Sequence, residues 1–289
     1  MTKVTIGLMV YNEVRYIRQS LQTIQSQSFN DYEILVGDNA SNDGSSEIIA
    51  EFAASDPRII HIKRSTNIGA LQNWNDIVRR ANGEYFVLAG GHDLWSTNYL
   101  ANITTELDDN PDAVLAFAKT QWIDENGNEL NKKSSILDTS GMSKIGRFLA
   151  LMFANQHYLY GMIRTTAMKK TRLQLEIVGS GEIFLQELAV LGDFVLVENE
   201  RWCRRQNRGQ ENVMKRMQRY KDILFSTAWN RQRFKCMPMT QMMLCYLSLP
   251  FLLKGLSIFQ RIAFISAFPI ILVRFARLLA FDILWLFRR

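Results

Sequence analysis

The first 90 residues alternate between short apolar runs and longer amphipathic stretches, and this alternation limits the fold more than any other feature. The apolar runs are rich in β-branched and aromatic residues, as strands are. They cover residues 3–10, 32–37, 58–63 and 84–89. The stretches between them repeat apolar residues at helical spacing, as at Val14, Ile17 and Leu21. Strands that alternate with helices predict an α/β fold with a mostly parallel sheet and helices on both faces.

Polar clusters follow three of the predicted strands. "YNE" comes after the first, "DNASNDGS" after the second and "GGHD" after the fourth. A parallel sheet of this kind binds its ligand at the carboxyl ends of its strands, so the three clusters predict a binding site at one edge. Neither G-x-G-x-x-G nor a P-loop follows the first strand, which argues against the usual dinucleotide and NTPase sites.

The pattern changes beyond residue 113. The turn signal "ENGN" at 125–128 predicts a hairpin and therefore an antiparallel addition to the sheet. A helix at 143–153, a strand at 158–164 and a helix at 182–191 are predicted to complete the domain.

Charge divides the chain into two parts. Residues 1–200 hold 17 Lys and Arg against 25 Asp and Glu, whereas residues 201–289 hold 17 against 3. We therefore predict a folded domain at 1–208 and a basic, apolar helical tail at 209–289, with an anionic partner for the tail. The tail lacks the aromatic interleaving and Gly-rich modules of RNA-binding surfaces, so nucleic acid is not expected as a partner.

Two further features bear on the compartment. Cys203, Cys236 and Cys245 are odd in number and lack metal-type spacing, which predicts reduced thiols in the cytosol. The N-terminal residues show no signal-peptide pattern, so we expect a cytoplasmic protein.

Five motifs in order resemble the nucleotide-sugar glycosyltransferases of family 2, which have the GT-A (Rossmann-like) fold. They are "YNE", "EILVGDNASNDGS", "NIG", "GEYFVLAGGHDLW" and "ELAVLGDFVLVENERWCRR", and the resemblance covers residues 3–207. It implies an inverting glycosyltransferase that uses a nucleotide-diphosphate sugar.

The resemblance assigns nucleotide and diphosphate contacts. Asp38 would accept a hydrogen bond from the base beside Tyr11, and Asn67 matches the "N-x-G" loop residue. Asn12 and Glu13 belong to the same site through "YNE". The family's basic loop near the domain end corresponds to Arg204 and Arg205, whose guanidinium forks could hold diphosphate oxygens.

The "GGHD" stretch departs from the family's D-x-D motif, whose carboxylates hold a divalent cation against the diphosphate. Gly90 replaces the first acid, and His92 replaces the acid that contacts the metal, with Asp93 following. The resemblance implies Mn²⁺ or Mg²⁺ bound by His92 and Asp93, although imidazole suits softer ions better. Three roles for His92 stay open: a metal ligand, a direct contact to diphosphate or sugar, and a structural residue.

The predicted catalytic base also departs from the family. Inverting transfer needs a carboxylate that removes the proton of the acceptor hydroxyl. Gly181 occupies the position where the family places Asp, so the neighbouring Glu182 is the predicted base.

The end of the tail is strongly apolar. Its longest charge-free run near the end, residues 262–273, is 12 residues long and too short to span a bilayer. Charged residues fall within about 140° of helical arc. They are Arg274, Arg277, Asp282, Arg288 and Arg289. We predict a helix lying in an anionic membrane interface with its basic residues toward the headgroups; packing against the body or in a homo-oligomer, and a transmembrane hairpin, stay open.

The combined prediction is a peripheral enzyme at the cytoplasmic face of the inner membrane. It would transfer a sugar from a nucleotide-diphosphate donor to a surface-glycan acceptor on a polyprenyl lipid. The alternative is a non-catalytic GT-A-like protein that binds nucleotide sugars or partner proteins at the membrane, because Gly90 and Gly181 replace acids.

Overall fold

The computed structural model describes residues 2–132, 136–154, 156–206, 237–253 and 256–286. Within these ranges, eight strands form one mixed sheet in the order β3-β2-β1-β4-β7-β6-β8-β5. The strands are β1 Val4–Val10, β2 Tyr32–Asp38, β3 Ile59–Lys63, β4 Tyr85–Gly90, β5 Leu94–Trp95, β6 Ala113–Ile123, β7 Met162–Arg164 and β8 Asp193–Arg205. The predicted α/β class is confirmed.

Helices pack on both faces of this sheet. They are α1 Ile17–Gln25, α2 Ser45–Ser55, α3 Ala70–Arg80, α4 Tyr99–Asp109, α5 Lys144–Met152, α6 Thr165–Met168 and α7 Ser180–Leu191. The helices in the described part of the tail are α8 Pro238–Leu252, α9 Ile258–Ser266 and α10 Phe268–Leu286. A short 3₁₀ helix at Gln156–Tyr160 precedes β7.

The parallel pairing of β1 with its two neighbours places three loops together. Val10 pairs with Asp38 of β2, and Met9 pairs with Gly90 of β4. The strands therefore end at the same edge, and the polar clusters that follow them meet there, as the sequence predicts.

The second half of the sheet differs in detail from the prediction. The segment after β6 makes a turn closed by a single antiparallel bridge between Ile123 and Glu129, so no long hairpin strand forms at "ENGN". The antiparallel addition is instead β7, which pairs with β4 and β6. It is shorter than the predicted strand at 158–164 because the 3₁₀ helix takes up residues 156–160.

Two glycines bring α3 close to the sheet. A Cβ on Gly7 would lie 2.5 Å from Phe86 and 2.9 Å from Ile77, and one on Gly37 would lie 2.5 Å from Ile77. Any larger side chain would force helix and sheet apart. This close packing fixes α3 beside the ends of β1 and β2.

The tail helices α8, α9 and α10 pack on α5 and α7 through an apolar cluster, which includes Phe148, Ile183, Tyr246, Phe264 and Phe275. One stretch of the described residues, Ile258–Ala276, is long and apolar enough to cross a membrane by length and composition, although Ala267 separates it into α9 and α10. The basic residues 210–235 and the predicted boundary at 208 and 209 lie outside the described residues.

The charged side chains of α10 that the structure describes contact protein rather than water. Asp282 is buried and accepts hydrogen bonds from the backbone N–H groups of Met239 and Thr240 at the start of α8. Arg274 forms an ion pair with Glu182 of α7 at 2.8 Å. The expectation that these two residues lie on an exposed polar face is wrong, because both are used to attach the helix to its neighbours.

Candidate active site

The loops after β1 and β2 are joined by hydrogen bonds. Asn12, whose backbone is left-handed at φ 56°, accepts the N–H of Asn42 at 3.0 Å and donates its own N–H to Ser41 Oγ at 3.1 Å. The N–H of Glu13 bonds to Ser45 Oγ at 2.8 Å. Short polar side chains therefore hold the "YNE" and "DNASNDGS" clusters in one rigid surface.

Asp38 is fully buried at the base of this surface. Its carboxylate accepts the N–H of Ser41 at 2.9 Å and lies 3.3 Å from His61 Nε2. Burial alone would raise the pKa of Asp38, but the hydrogen bonds from His61 and Ser41 outweigh it and hold the pKa well below its ordinary value. Asp38 is therefore a carboxylate that shapes the loop; its predicted contact with a nucleotide base stays a prediction.

Tyr11 and Asn67 occupy the rim of the same edge. Tyr11 is exposed, with 45% of its surface accessible, so its ring is available to a ligand. Asn67 accepts hydrogen bonds from Asn39 Nδ2 and from the N–H of Gly69, both at 2.8 Å. Its amide therefore orders the entry to α3, and its predicted ligand contact stays a prediction.

The "GGHD" loop is tied to the loop after β1 through a histidine–carboxylate contact. His92 Nδ1 lies 2.9 Å from Glu13 Oε1, and His92 Nε2 lies 3.7 Å from Asp93 Oδ1. His92, Glu13 and the end of β1 are thus one unit. This contact sets the orientation of the imidazole, since the partner of one ring nitrogen determines what the other can do.

Asp93 lies beneath the loop. It is buried, and its Oδ1 accepts the N–H of Arg205 at 3.1 Å. Burial raises the pKa of Asp93, although His92 and the Arg205 N–H act in the opposite direction. The side chain joins "GGHD" to the end of β8.

A divalent cation, which the resemblance implies, would need ligands that converge on one point. Among the residues that the structure describes, no three His, Cys, Asp or Glu side chains form such a group. Gly90 contributes no carboxylate, and Asp93 is buried and bonded to the backbone of Arg205. These residues do not fit a complete cation site, and metal binding by His92 and Asp93 stays a prediction.

Arg204 and Arg205 have different surroundings. Arg205 is buried, and its guanidinium donates to the His92 carbonyl at 2.9 Å and to Gln19 Oε1 at 2.8 Å. Arg205 therefore supports the "GGHD" loop from below. The guanidinium of Arg204 lies 4.9 Å from the ring centre of Trp122, on an aromatic wall at the side of the site.

His157 belongs to this aromatic wall. Its ring centre is 5.3 Å from that of Trp122 and 6.2 Å from that of Trp202. Burial lowers the pKa of His157 to about 4, and the cations of Arg204 and Lys132 act in the same direction. The imidazole is therefore neutral at pH 7.

A cavity of about 200 Å³ opens near the carboxyl ends of β1 and β4. It is lined by Met9, Ala70, Leu71, Trp74, Leu88, Leu159, Tyr160, Gln174, Ile177, Gly179, Ser180 and Gly181. Gly181, which the resemblance aligns with the family's Asp, thus stands in the cavity wall. The neighbouring Glu182 is absent from this lining, and its carboxylate contacts Arg274 at 2.8 Å and the Tyr246 hydroxyl at 3.3 Å. Its predicted role as the base stays a prediction.

The positions of Trp74, Ser180 and His157 at this site were not predicted from the sequence. Trp74 and Ser180 lie on helices whose apolar pattern resembles ordinary core packing. Ser180 immediately precedes Gly181, so the position of the missing acid was the available signal. His157 follows a short segment with no periodicity, and no sequence signal marks it.

Comparison with known proteins identifies the family. A family model described as Glycosyl transferase family 2 matches residues 5–172. The chain is 34% identical over 131 residues to an uncharacterized glycosyltransferase of Methanocaldococcus jannaschii, and the match covers 45% of each chain. It is 35% identical over 117 residues to the abequosyltransferase RfbV of Salmonella typhimurium, covering 39% of this chain and 35% of that protein. The chain spans less than half the length of these relatives.

Solved structures support the fold. TarS residues 1–349 of S. aureus, in complex with UDP-GlcNAc, superpose with a TM-score of 0.67 at 14% identity, over 94% of this chain and 73% of that chain. The mannosyltransferase PcManGT of Pyrobaculum calidifontis, in complex with GDP-Man and Mn²⁺, gives 0.55 at 15% identity, over 99% and 85%. The family model covers more than half of the sequence, and its match falls on the sheet and loops described above; the chain belongs to glycosyl transferase family 2.

Proposed function

We propose that this protein transfers a sugar from a nucleotide-diphosphate donor to a hydroxyl of an acceptor, with inversion at the anomeric carbon. The observation that carries the proposal is the parallel register of β1 with β2 and β4, which brings the polar loops after these strands together at one edge of the sheet. A cavity lined by Met9 of β1 and Leu88 of β4 opens near that edge. A relative of the chain from Salmonella is named as an abequosyltransferase, and two structures similar to the chain were solved with UDP-GlcNAc and with GDP-Man. These similarities support nucleotide-sugar chemistry at that edge.

The donor would lie across the joined loops. Tyr11 on the rim and Asp38 in the loop behind it form the nucleotide end, with Asn12 and Asn67 holding the backbone of the two flanking loops. The diphosphate would lie over "GGHD", as the resemblance implies.

His92 would contact the diphosphate directly. Glu13 holds its Nδ1 at 2.9 Å, so the ring is presented by a rigid support rather than by a flexible loop. Arg204 contributes positive charge from the aromatic wall, whereas Asp93 and Arg205 keep the loop in place from below. Because the described residues do not form a complete set of ligands for a cation, we assign no role in donor binding to a cation.

Nucleotide binding with and without metal tests this arrangement. We expect calorimetry with UDP, GDP, dTDP and CDP to find at least one diphosphate that binds, with affinities in Mn²⁺, Mg²⁺ and chelator that agree within about threefold. Truncation of a charge-assisted hydrogen bond should make His92→Ala bind at least about tenfold more weakly. Ile60→Ala, an exposed position on β3, is the matched control.

Two results would contradict direct binding of a diphosphate by His92. Affinity that disappears in chelator would make His92 a metal ligand. Absence of binding for all four diphosphates would remove the donor site altogether.

Glu182 is proposed as the base despite its contacts with the tail. Glu182 follows Gly181, which lines the cavity. Arg274 and Tyr246 hold the Glu182 carboxylate at the junction of α7 with the tail helices. An acceptor entering along this junction would reach both the carboxylate and the cavity. The competing assignment is a purely structural ion pair between Glu182 and Arg274.

A pair of substitutions separates the two assignments. Glu182→Gln should lower kcat by about 100-fold or more while leaving diphosphate affinity unchanged, because only the proton acceptor is lost. Arg274→Gln breaks the same ion pair but retains the carboxylate, and should cost less than about tenfold. Equal losses in the two variants would assign Glu182 to structure. Wild-type protein that binds donor but neither transfers nor hydrolyses it would favour the non-catalytic alternative.

We also propose that the tail attaches the protein to the cytoplasmic face of a membrane, where a polyprenyl-linked glycan would be the acceptor. Large apolar side chains of α8, α9 and α10 are exposed: Phe251, Leu252, Ile258, Phe259, Ile262, Ile265, Ile270, Leu272 and Val273. Phe259 and Val273 are 80% and 76% exposed. In contrast, Arg261 donates to the carbonyls of Pro250 and Leu253, and Arg274 is paired with Glu182. Apolar groups facing outward and charges facing inward suit hydrocarbon contact better than headgroup contact.

Vesicle binding tests the attachment. Each large apolar side chain that leaves water contributes about 1.5–3 kcal/mol. Phe259→Glu and Val273→Glu should therefore each reduce co-sedimentation with phosphatidylglycerol–phosphatidylcholine vesicles by at least about tenfold, and wild-type binding should persist in high salt. Ile60→Glu is the control on the body. If wild-type binding is lost in high salt, the tail contacts anionic headgroups through its basic residues instead. If the wild-type protein does not bind vesicles but self-associates, and the same variants abolish this self-association, the exposed apolar side chains form a homo-oligomer contact.

A further inference from the structure

Both oxygens of the Asp38 carboxylate already have partners within the protein. Asp38 is fully buried at the end of β2; its Oδ1 accepts the N–H of Ser41 at 2.9 Å, and its Oδ2 lies 3.3 Å from His61 Nε2. Because an ionised carboxylate can only accept hydrogen bonds, Nε2 is the donor in the contact with His61. A ligand that reached this carboxylate would have to displace Ser41 or His61.

His61 reaches Asp38 from β3, the strand at one edge of the sheet. β3 is parallel to β2, and His61 lies opposite Val36 in the register, two residues before the partner of Asp38. The His61 side chain is only 14% exposed. Among the residues that the structure describes, Asp38 is the one side chain to which His61 bonds. The imidazole is therefore dedicated to this carboxylate.

The loop after Asp38 depends on such support. Ala40 has a left-handed backbone at φ 64°, a conformation that is uncommon for a residue with a Cβ and that persists only where surrounding contacts hold it. Asp38 supplies contacts on both sides of it. Its carboxylate holds the N–H of Ser41, and its carbonyl accepts the N–H of Arg64 at 2.9 Å.

The same loop is joined to the diphosphate end of the proposed site. Ser41 Oγ accepts the N–H of Asn12 at 3.1 Å, and Ser45 Oγ accepts the N–H of Glu13 at 2.8 Å. Glu13 in turn holds His92 Nδ1 at 2.9 Å. A displacement of residues 38–45 would therefore reach both the nucleotide end and the diphosphate end of the donor site.

We propose that His61 is a positioning residue for donor binding. It fixes the Asp38 carboxylate, the carboxylate fixes the loop at residues 38–45, and neither side chain contacts the nucleobase. This role of Asp38 differs from the base contact that the resemblance implies, because that contact needs an accessible oxygen and Asp38 is fully buried. The inference rests on the proposed function, since the donor is what the loop would hold.

Calorimetry with the nucleoside diphosphate that binds most tightly tests the positioning role. His61→Ala should weaken its binding about five- to tenfold, because the loop loses the hydrogen bond to its buried carboxylate. His61→Gln, which places an amide N–H near the position of Nε2, should restore the affinity to within about twofold of wild type. Ile60→Ala, at an exposed position on the same strand, is the control and should leave the affinity unchanged.

A double-variant cycle separates positioning from direct contact. Asp38→Asn and His61→Ala should weaken binding to a similar extent. The double variant should bind no more than about twofold more weakly than either single variant, because both changes remove the same interaction. Amide exchange of the free protein gives an independent readout: His61→Ala should speed exchange in residues 38–45 and leave exchange in residues 99–109 unchanged.

The outcomes separate this inference from the proposed function. If a diphosphate binds but Asp38→Asn weakens it far more than His61→Ala, with additive losses in the double variant, Asp38 contacts the nucleobase and the inference is wrong. Unchanged affinity in His61→Ala, or faster exchange across the whole sheet without rescue in His61→Gln, would also overturn it. Failure of every diphosphate to bind overturns the proposed function, and this inference with it.

Discussion

The site depends on the parallel register of β1 between β2 and β4. Because Val10 pairs with Asp38 and Met9 with Gly90, three strands end together and their loops become neighbours. Side-chain hydrogen bonds then join these neighbouring loops. Glu13 holds His92, and Asn12 holds the loop that carries Asn42. A change in this register would separate the loops that carry Tyr11, Asp38 and His92.

The chain differs from its family in the positions where acids are expected. At "GGHD" a histidine supported by Glu13 stands in place of a carboxylate, and at the start of α7 a glycine lines the cavity. Both changes remove a carboxylate from the proposed donor site. None of the twelve residues that line the cavity, all within the described part of the chain, carries a charged side chain.

The sequence was sufficient for the β1-to-β4 core, since strand runs and helical spacing there reflect local burial. It was less informative where tertiary contacts decide the outcome. The 3₁₀ helix at Gln156–Tyr160 shortens a strand that composition favours. Arg205 looks like a phosphate ligand but is buried under the "GGHD" loop, and Arg274 looks like a headgroup ligand but pairs with Glu182. A basic residue's partner is a property of the assembled fold and has no local signature.

The central claim is that a nucleoside diphosphate binds across the joined loops at this edge of the sheet. Amide hydrogen exchange, followed by peptide-resolved mass spectrometry with saturating UDP, GDP, dTDP or CDP, tests it most directly. We predict that at least one of them slows exchange in residues 9–13, 38–45 and 88–95 and leaves exchange in residues 256–276 unchanged. Unchanged exchange in those three segments with all four nucleotides, or protection confined to the tail helices, would contradict it.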